Sequence, residues 1–523
     1  MIFKWLAKSG KTAPGDAEND FLKSLTGSPA AVLQQVSDWI DEQIQCGQAD
    51  LNLLRQADNR LEPVLAEIVA SLASNRRIGT GYQLLRTYCE HFARAYAHIA
   101  RNLSDDVPGD KLIALLRSTY LYSRACRLAR MTYNDPGTLR QEILTLYLEA
   151  QQSGLAAQRK SPYTGVLDTS VTQELAVALL WDTTAFDTLT LEQIEYLERF
   201  IVFNGSQIIL KSVSGAIAPY AVLANGQVVM SEPDDAASVV LFIGPGPLVG
   251  MMAGIAKLPD SGTLPVWAEP ALPHTDIQTL KALAQRMAAT WGQQRVQRSG
   301  ERKQRTDTVR VTGGFTNIRR AVAYSAYLRS GGQLDAYGTP DRIFSERMRE
   351  VLVGIEEKNK ELTPVEALTA IEGAGGSQAV ESWTASDSSE HGYSLVVQGY
   401  RGWLAVGGLL AVRENDQIDW HVAVVRRLYG ATSARRVGIE LYRGTPIPVG
   451  VGNEGQTTNV SIADLRDAIL ITGGAVSWLV TSFDCAQDGS YLVVGKNGRE
   501  KYKTIARSYG TADFQIYSCE RVE

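Results

Sequence analysis

The feature that most constrains this 523-residue chain is a change of hydrophobic period near residue 199. Before it, apolar residues recur every three or four positions. Val32, Val36, Trp39, Ile40 and Ile44 form one stripe. Leu61, Val64, Leu65, Ile68 and Leu72 form a second, and Leu85, Tyr88, Phe92, Tyr96, Ile99 and Leu103 a third. That spacing places one apolar face on each of a series of amphipathic helices. Asp135-Pro136-Gly137 is a turn between two further helices, and Thr190 with Gln193 is a capping box opening the last one. After a lead-in at 1–18, expected to be flexible, the pattern predicts a helical bundle or solenoid over 19–198. It shows no clean tetratricopeptide repeat.

Beyond the switch the signals are those of strands. Arg199–Phe203, Gln207–Leu210, Tyr220–Leu223 and Val228–Met230 are strand-like, separated by Asn204-Gly205 and Asn225-Gly226 turns. A helix is predicted from Thr275 to Arg298, so 199–298 reads as a β-rich region plus a linker helix. A basic segment follows, Arg295 to Arg305, with five basic residues in eleven. It leads into a predicted strand at Asp307–Val311. A helical insertion is predicted at about 316–370, clearest from Arg342 to Lys360. From Glu381 onward short strands dominate, among them Tyr393–Val397, Trp403–Val412, Trp420–Leu428, Arg436–Leu441, Ala468–Thr472, Trp478–Ser482, Tyr491–Val494 and Phe514–Tyr517. Many short strands with Gly and Asn turns predict an antiparallel barrel. The fold class expected is α+β and multidomain.

Composition narrows the function. Hydrophobic residues make up 45% and charged residues 21%, the balance of a globular chain with a full core. A formal net charge of −5 lacks the broad positive field that a DNA or RNA binder needs. The five cysteines, Cys46, Cys89, Cys126, Cys485 and Cys519, form no CxxC pair and no zinc-ligand spacing, so no metal or cofactor is expected. Their scatter fits reduced core residues in a cytoplasmic protein. No stretch approaches about 18 uninterrupted apolar residues, so no membrane span is expected, and the Met1–Lys8 start is too short and charged for a signal peptide. No GxSxG elbow or other nucleophile signature is present, and the chain is read as a non-enzyme.

Asp387-Ser388-Ser389-Glu390-His391-Gly392 fits the pattern DxSxxG. Asp and Ser carry short hydrogen-bonding groups that serve local backbone donors or a ligand, and Gly permits a sharp turn or a close approach. By itself this is an Asp/Ser turn between two strands. Gly402–Gly407, Trp420–Leu428, Arg436-Val-Gly-Ile-Glu-Leu441 and Pro446-Ile-Pro-Val449 follow it in order. This succession, about 70 residues from Trp383 to Val449, resembles the PilZ domain, a small barrel that binds cyclic di-GMP in bacteria; the resemblance places a PilZ-like barrel at 299–449, with a β-rich extension at 450–523.

The resemblance implies a ligand set. The family carries an RxxxR motif just before its first strand, and Arg298-Ser-Gly-Glu-Arg302 fits it, with Arg295, Arg305 and Arg310 as rivals for the register. Cyclic di-GMP offers two phosphates and two guanines, and a guanidinium can grip a phosphate or the O6/N7 edge of guanine. The implied ligand residues are therefore Arg298, Arg302, Arg305, Asp387, Ser389 and Gly392. The 84 residues between Arg302 and Asp387 are accommodated by the helical insertion. The implied function is a cyclic di-GMP effector that acts through ligand-induced rearrangement and a protein partner of the helical domain, with motility, pili or biofilm as outputs. The alternative is a PilZ-like scaffold that binds no nucleotide. Other patterns read as structure: Gly450-Val-Gly452-Asn-Glu-Gly455 lacks the following helix of a dinucleotide fingerprint, and His91 and His98 read as packing residues. Tyr82, Tyr88, Tyr96, Tyr120 and Tyr122 read as core and groove residues.

Overall fold

A computed structural model describes residues 29–45, 50–59, 61, 78–104, 106–229, 238–259, 263–272, 276–292, 303–330, 363–374, 380–399, 401–430, 434–453, 464–495, 498–511 and 513–522. The chain is α+β and divides into two compact units, Met1–Gln297 and Arg298–Glu523. Arg295, Arg298 and Arg302, the 1–18 lead-in, Val64, Leu65, Ile68 and Leu72 of the second stripe, and Arg342–Lys360 lie outside the described residues.

The first unit contains helices α1 (Pro29–Gln45), α2 (51–59), α3 (Ile78–Asn102), α4 (Pro108–Met131), α5 (Leu139–Gln152), α6 (Val171–Leu180) and α7 (Leu191–Phe203). Helix α4 packs against α3, α5, α6 and α7 and is buried almost all round. It therefore carries Arg117, Arg127 and Arg130 into the interior, where each must meet a carboxylate. Arg117 donates to Asp58 (3.1 Å), a fully buried carboxylate that also accepts from the hydroxyls of Tyr88, Tyr96 and Tyr163. Burial pushes the Asp58 carboxyl up, and Arg117 and the three hydroxyls oppose that rise. Arg130 and Arg140 share Asp182, and Arg127 pairs with Glu198 at 3.2 Å.

The capping box of Thr190 and Gln193 is formed, and the helix it opens runs through Phe203. The expected strand at Arg199–Phe203, and with it the boundary at 199, is thereby corrected. Ile194, Leu197, Phe200 and Ile201 are buried on helical spacing, and this packing overrides the strand preference of Ile201-Val202. A four-stranded antiparallel sheet follows, ordered β1-β4-β2-β3 from β1 (Ile209–Lys211), β2 (Tyr220–Leu223), β3 (Val228–Val229) and β4 (Val239–Gly244). Helices α8 (Leu248–Ala256) and α9 (Ile277–Trp291) pack on each other.

The second unit holds two closed six-stranded antiparallel barrels. The first uses β6 (Thr308–Gly313), β7 (Glu381–Ser389), β8 (Gly392–Val397), β9 (Leu409–Glu414), β10 (His421–Tyr429) and β11 (Arg435–Leu441), with a short β5 (Lys303–Gln304) beside β7. Its strands pair in the order β6-β9-β10-β11-β8-β7, and β7 returns to β6. The second uses β12 (Thr445–Asn453), β13 (Arg466–Thr472), β14 (Ser477–Thr481), β15 (Ser490–Gly495), β16 (Gly498–Gly510) and β17 (Gln515–Val522), closed as β12-β13-β14-β17-β16-β15. Counting strands in chain order within each barrel, both pair first with second, second with third, third with sixth, sixth with fifth, fifth with fourth and fourth with first. One pairing scheme thus occurs twice in tandem. The expected boundary at 449/450 falls inside β12, so the region expected as an extension is the remainder of this second barrel.

The insertion between β6 and β7 begins with α10 (Phe315–Arg329) and ends with α11 (Pro364–Ala374). Helix α10 supplies Ile318, Ala321 and Val322 to a core shared by both barrels, with Leu409, Ala411, Val422 and Val424 from the first and Ile469, Ile471, Val480 and Ile516 from the second. Strands β9 and β10 are buried on both faces, since Leu410, Val412, Ala423 and Val425 alternate with those residues. Helix α11 is fixed electrostatically. Arg310 and Arg413 sit opposite each other on β6 and β9, a like-charge pair that repels unless neutralised. Glu372 of α11 lies over both, 3.0 Å from Arg413 and 3.2 Å from Arg310, with the Arg413 side chain fully buried. Glu372→Leu leaves that charge uncompensated. It is expected to destabilise the second unit by about 3–5 kcal/mol, and Glu372→Gln by less, in urea unfolding followed by tryptophan fluorescence.

Candidate functional site

The candidate site is the corner of the first barrel where β5, β7 and β8 meet. The DxSxxG segment is not a loop: β7 runs through Ser389, β8 starts at Gly392, and only Glu390 and His391 turn. The hairpin tip is held by Arg443, which pairs with Glu390 at 2.8 Å and lies 3.2 Å from the His391 ring.

A β-bulge inside β7 decides which way the motif faces. Ala385 pairs with Leu395, but Asp387 pairs with Ser394, so Ser386 is the extra residue. Its hydroxyl donates to the Ser394 carbonyl at 3.0 Å. Trp383, Ala385, Leu395 and Val397 are buried in the barrel. In an unbroken strand the alternation would send Asp387 and Ser389 inward after Ala385. The bulge shifts the register by one. Asp387 and Ser389 therefore share the face of Ser394, and Ser388 shares that of Tyr393 and Leu395. The carboxylate is half-buried at the surface instead of enclosed.

The end of the basic segment, which is the lead-in to the first barrel, joins this corner directly. Lys303 pairs with Ser388 and Gln304 with Asp387, and the Arg305 amide donates to the Ser386 carbonyl at 3.0 Å. Chain emerging from the basic segment is thus paired alongside the motif strand. The Arg305 side chain points elsewhere. Its guanidinium donates to both oxygens of Asp307 and to Glu414 (2.7 Å), which also accepts from Tyr393 (2.9 Å). It lies 5.7 Å from the centre of the Tyr393 ring. Hydrogen bonds to Asp307 and then to Glu414 raise the Arg305 pKa, and the bond from Arg305 holds Asp307 low. Burial would raise Glu414, but bonds from Arg305 and Tyr393 outweigh it and hold it low. Burial, with the bond to Glu414, pushes Tyr393 up to about 12.

The structure therefore brings Asp387 and Ser389 to one face and engages Arg305 on the other. The Ser389 hydroxyl helps close the hairpin, 3.4 Å from the His391 amide and the Gly392 carbonyl. Gly392 is required for packing, because a Cβ there would collide with the Ile439 carbonyl of β11. Among the other basic residues, Arg426 pairs with Glu440 at 2.5 Å and Arg435 is buried. Gly450 and Gly452 lie in β12 with no dinucleotide-binding context. His91 contacts the Ser37 hydroxyl at 3.0 Å, as a packing residue would. Among the described residues no cluster could hold a metal ion, and no helix is long and apolar enough to cross a membrane. The sequence reading missed the bulge and the carboxylates Asp307 and Glu414. Their only signal is an acidic residue just after the lead-in and another ending a strand.

Residues 19–211 match the family model described as "Cyclic-di-GMP receptor FimW, N-terminal domain". No curated protein and no solved structure matches the chain.

Two outcomes follow from this geometry. Gly392→Ala is expected to lower stability by about 1–3 kcal/mol without any ligand present, read as a lower Tm; an unchanged Tm would mean that β8 and β11 can separate freely. Asp307 and Glu414 are held below the ordinary carboxylate range when folded, so their contribution is complete above about pH 5 and is lost as the pH falls through the lowered values. The Tm difference between wild type and Arg305→Ala should accordingly be present at neutral pH and shrink toward zero in acid.

Proposed function

We propose that the chain is a cyclic di-GMP receptor whose first barrel is PilZ-like and takes the dinucleotide at the β5–β7–β8 corner. The match of residues 19–211 to a model named for a cyclic di-GMP receptor carries this reading, because it is independent of the barrel residues. The placement of Asp387 and Ser389 on one face, beside chain emerging from a basic segment, supports it. Arg298 and Arg302 supply guanidinium groups to phosphate or guanine, and Asp387 and Ser389 offer acceptors to guanine N–H groups. In the second barrel the corresponding hairpin reads Thr472-Gly-Gly-Ala-Val-Ser477, without an acid or a base, so the site is assigned to the first. The receptor makes and breaks no covalent bond, needs no cofactor and works in the cytoplasm. Ligand draws the arginine segment onto the barrel, and this rearrangement changes how the helical unit engages a protein partner.

Calorimetric titration with cyclic di-GMP, cyclic di-AMP and GTP tests the proposal. Selective binding at micromolar affinity or tighter is expected, weakened about tenfold or more by Arg298→Ala, Arg302→Ala or Asp387→Ala. Binding unaffected by all three would move the site. Absence of binding would leave the scaffold reading, in which the helical unit recruits a protein without nucleotide control.

A further inference from the structure

Arg305 stands where a ligand-contacting arginine was expected, yet all of its engaged N–H groups meet carboxylates of its own chain. Asp307 receives two of them and Glu414 a third, and Tyr393 braces Glu414 from β8. These four residues come from the lead-in, β8 and β9, so the cluster ties the start of the barrel to two strands that are not its sequence neighbours. Two backbone bonds continue the tie on either side: the Arg305 amide to Ser386 and the Ala385 amide to Asp307, at 2.8 Å. Both flank the bulge that turns Asp387 outward. The Arg305 side chain lies on the Tyr393 side of the sheet, whereas Asp387 shares the face of Ser394. A ligand on the Asp387 face does not meet this guanidinium.

We infer that Arg305, Asp307, Glu414 and Tyr393 form a clasp that holds β5 against β7 and thereby fixes the outward register of Asp387, so that Arg305 is a positioning residue and not a ligand contact. The inference rests on the dinucleotide reading for its functional consequence, but the clasp itself has an independent readout. The two roles of Arg305 differ in sign. If Arg305 touched the anionic ligand, Asp307 and Glu414 would compete with that ligand, and neutralising either would tighten binding. In a clasp the carboxylates support the site, and neutralising either weakens binding.

The test uses the full chain carrying Arg305→Ala, Glu414→Gln, Asp307→Asn, or Arg305→Ala with Glu414→Gln. Affinity for cyclic di-GMP and amide exchange by mass spectrometry are measured on each, with Tm as a check on folding. All three single variants are expected to weaken binding, by about tenfold for Arg305→Ala and less for the others, and the double variant should be no worse than Arg305→Ala alone. Amide exchange at 303–305 and 386–388 should rise in every variant. Tighter binding by Glu414→Gln or Asp307→Asn, with wild type binding, overturns the clasp and makes Arg305 a ligand contact. If neither wild type nor any variant binds, the dinucleotide reading fails, and the clasp is decided by exchange alone: unchanged exchange at those amides overturns it, and faster exchange upholds it.

Discussion

Strand β7 is hydrogen-bonded along both edges, to β5 and β6 on one side and to β8 on the other. The first barrel closes through this strand. Removing it would leave β6 and β8 with open edges, which a closed barrel exists to avoid. The bulge at Ser386, the paired lead-in and the two-residue hairpin are all modifications of β7, so the candidate site is built into the element that the barrel can least do without. Helix α11 precedes it in the chain, and the Glu372 pairing with Arg413 and Arg310 fixes that helix against β6 and β9.

Charge is used in two ways in this molecule. Asp58 with Arg117, and Glu372 with Arg413, are enclosed and multiply hydrogen-bonded. Such groups add little net stability over an apolar core, but breaking them is costly, so they restrict the ways the surrounding elements can pack. The Arg305 cluster is partly solvated, with the Asp307 side chain 47% exposed. Salt and solvent screen it, so it can be released at small cost. The first kind fixes the architecture; the second suits a place where a segment is to be held without being locked.

Much of the architecture was legible in the sequence because it depends on periodicity. The helical stripes of α1 and α3, the capping box at Thr190, the strands at Tyr393–Val397 and Trp420–Leu428, and the helical start of the insertion are direct readings of side-chain spacing. Strand β12 was not legible, because Pro446 and Pro448 argue against a strand. Pairing with β15 begins only at Gly450, so both prolines occupy a stretch bonded to β13 alone, where missing N–H groups on the other edge cost nothing. The DxSxxG motif was recognisable from its residue types, but not its orientation. A bulge is set by which partner residue faces which, and Ser386 carries no mark that separates it from Ser388 or Ser389. The Arg305 cluster was invisible for a related reason: Glu414 lies 109 residues away along the chain and meets Arg305 only once the barrel has closed.

The repeated pairing scheme bears on how the chain reaches its folded state. Two neighbouring domains of one topology offer each strand two sets of acceptable partners, and exchange of equivalent strands is a characteristic error of tandem repeats. The barrels differ where such an exchange would begin. In the first, the link between first and second strands spans α10 and α11, whereas in the second it spans only residues 454–465. First and second strands therefore face a smaller loop-closure cost in the second barrel than in the first. Helix α10 is lodged in the core that both barrels share. The insertion thus gives two copies of one pairing scheme unequal loop closures.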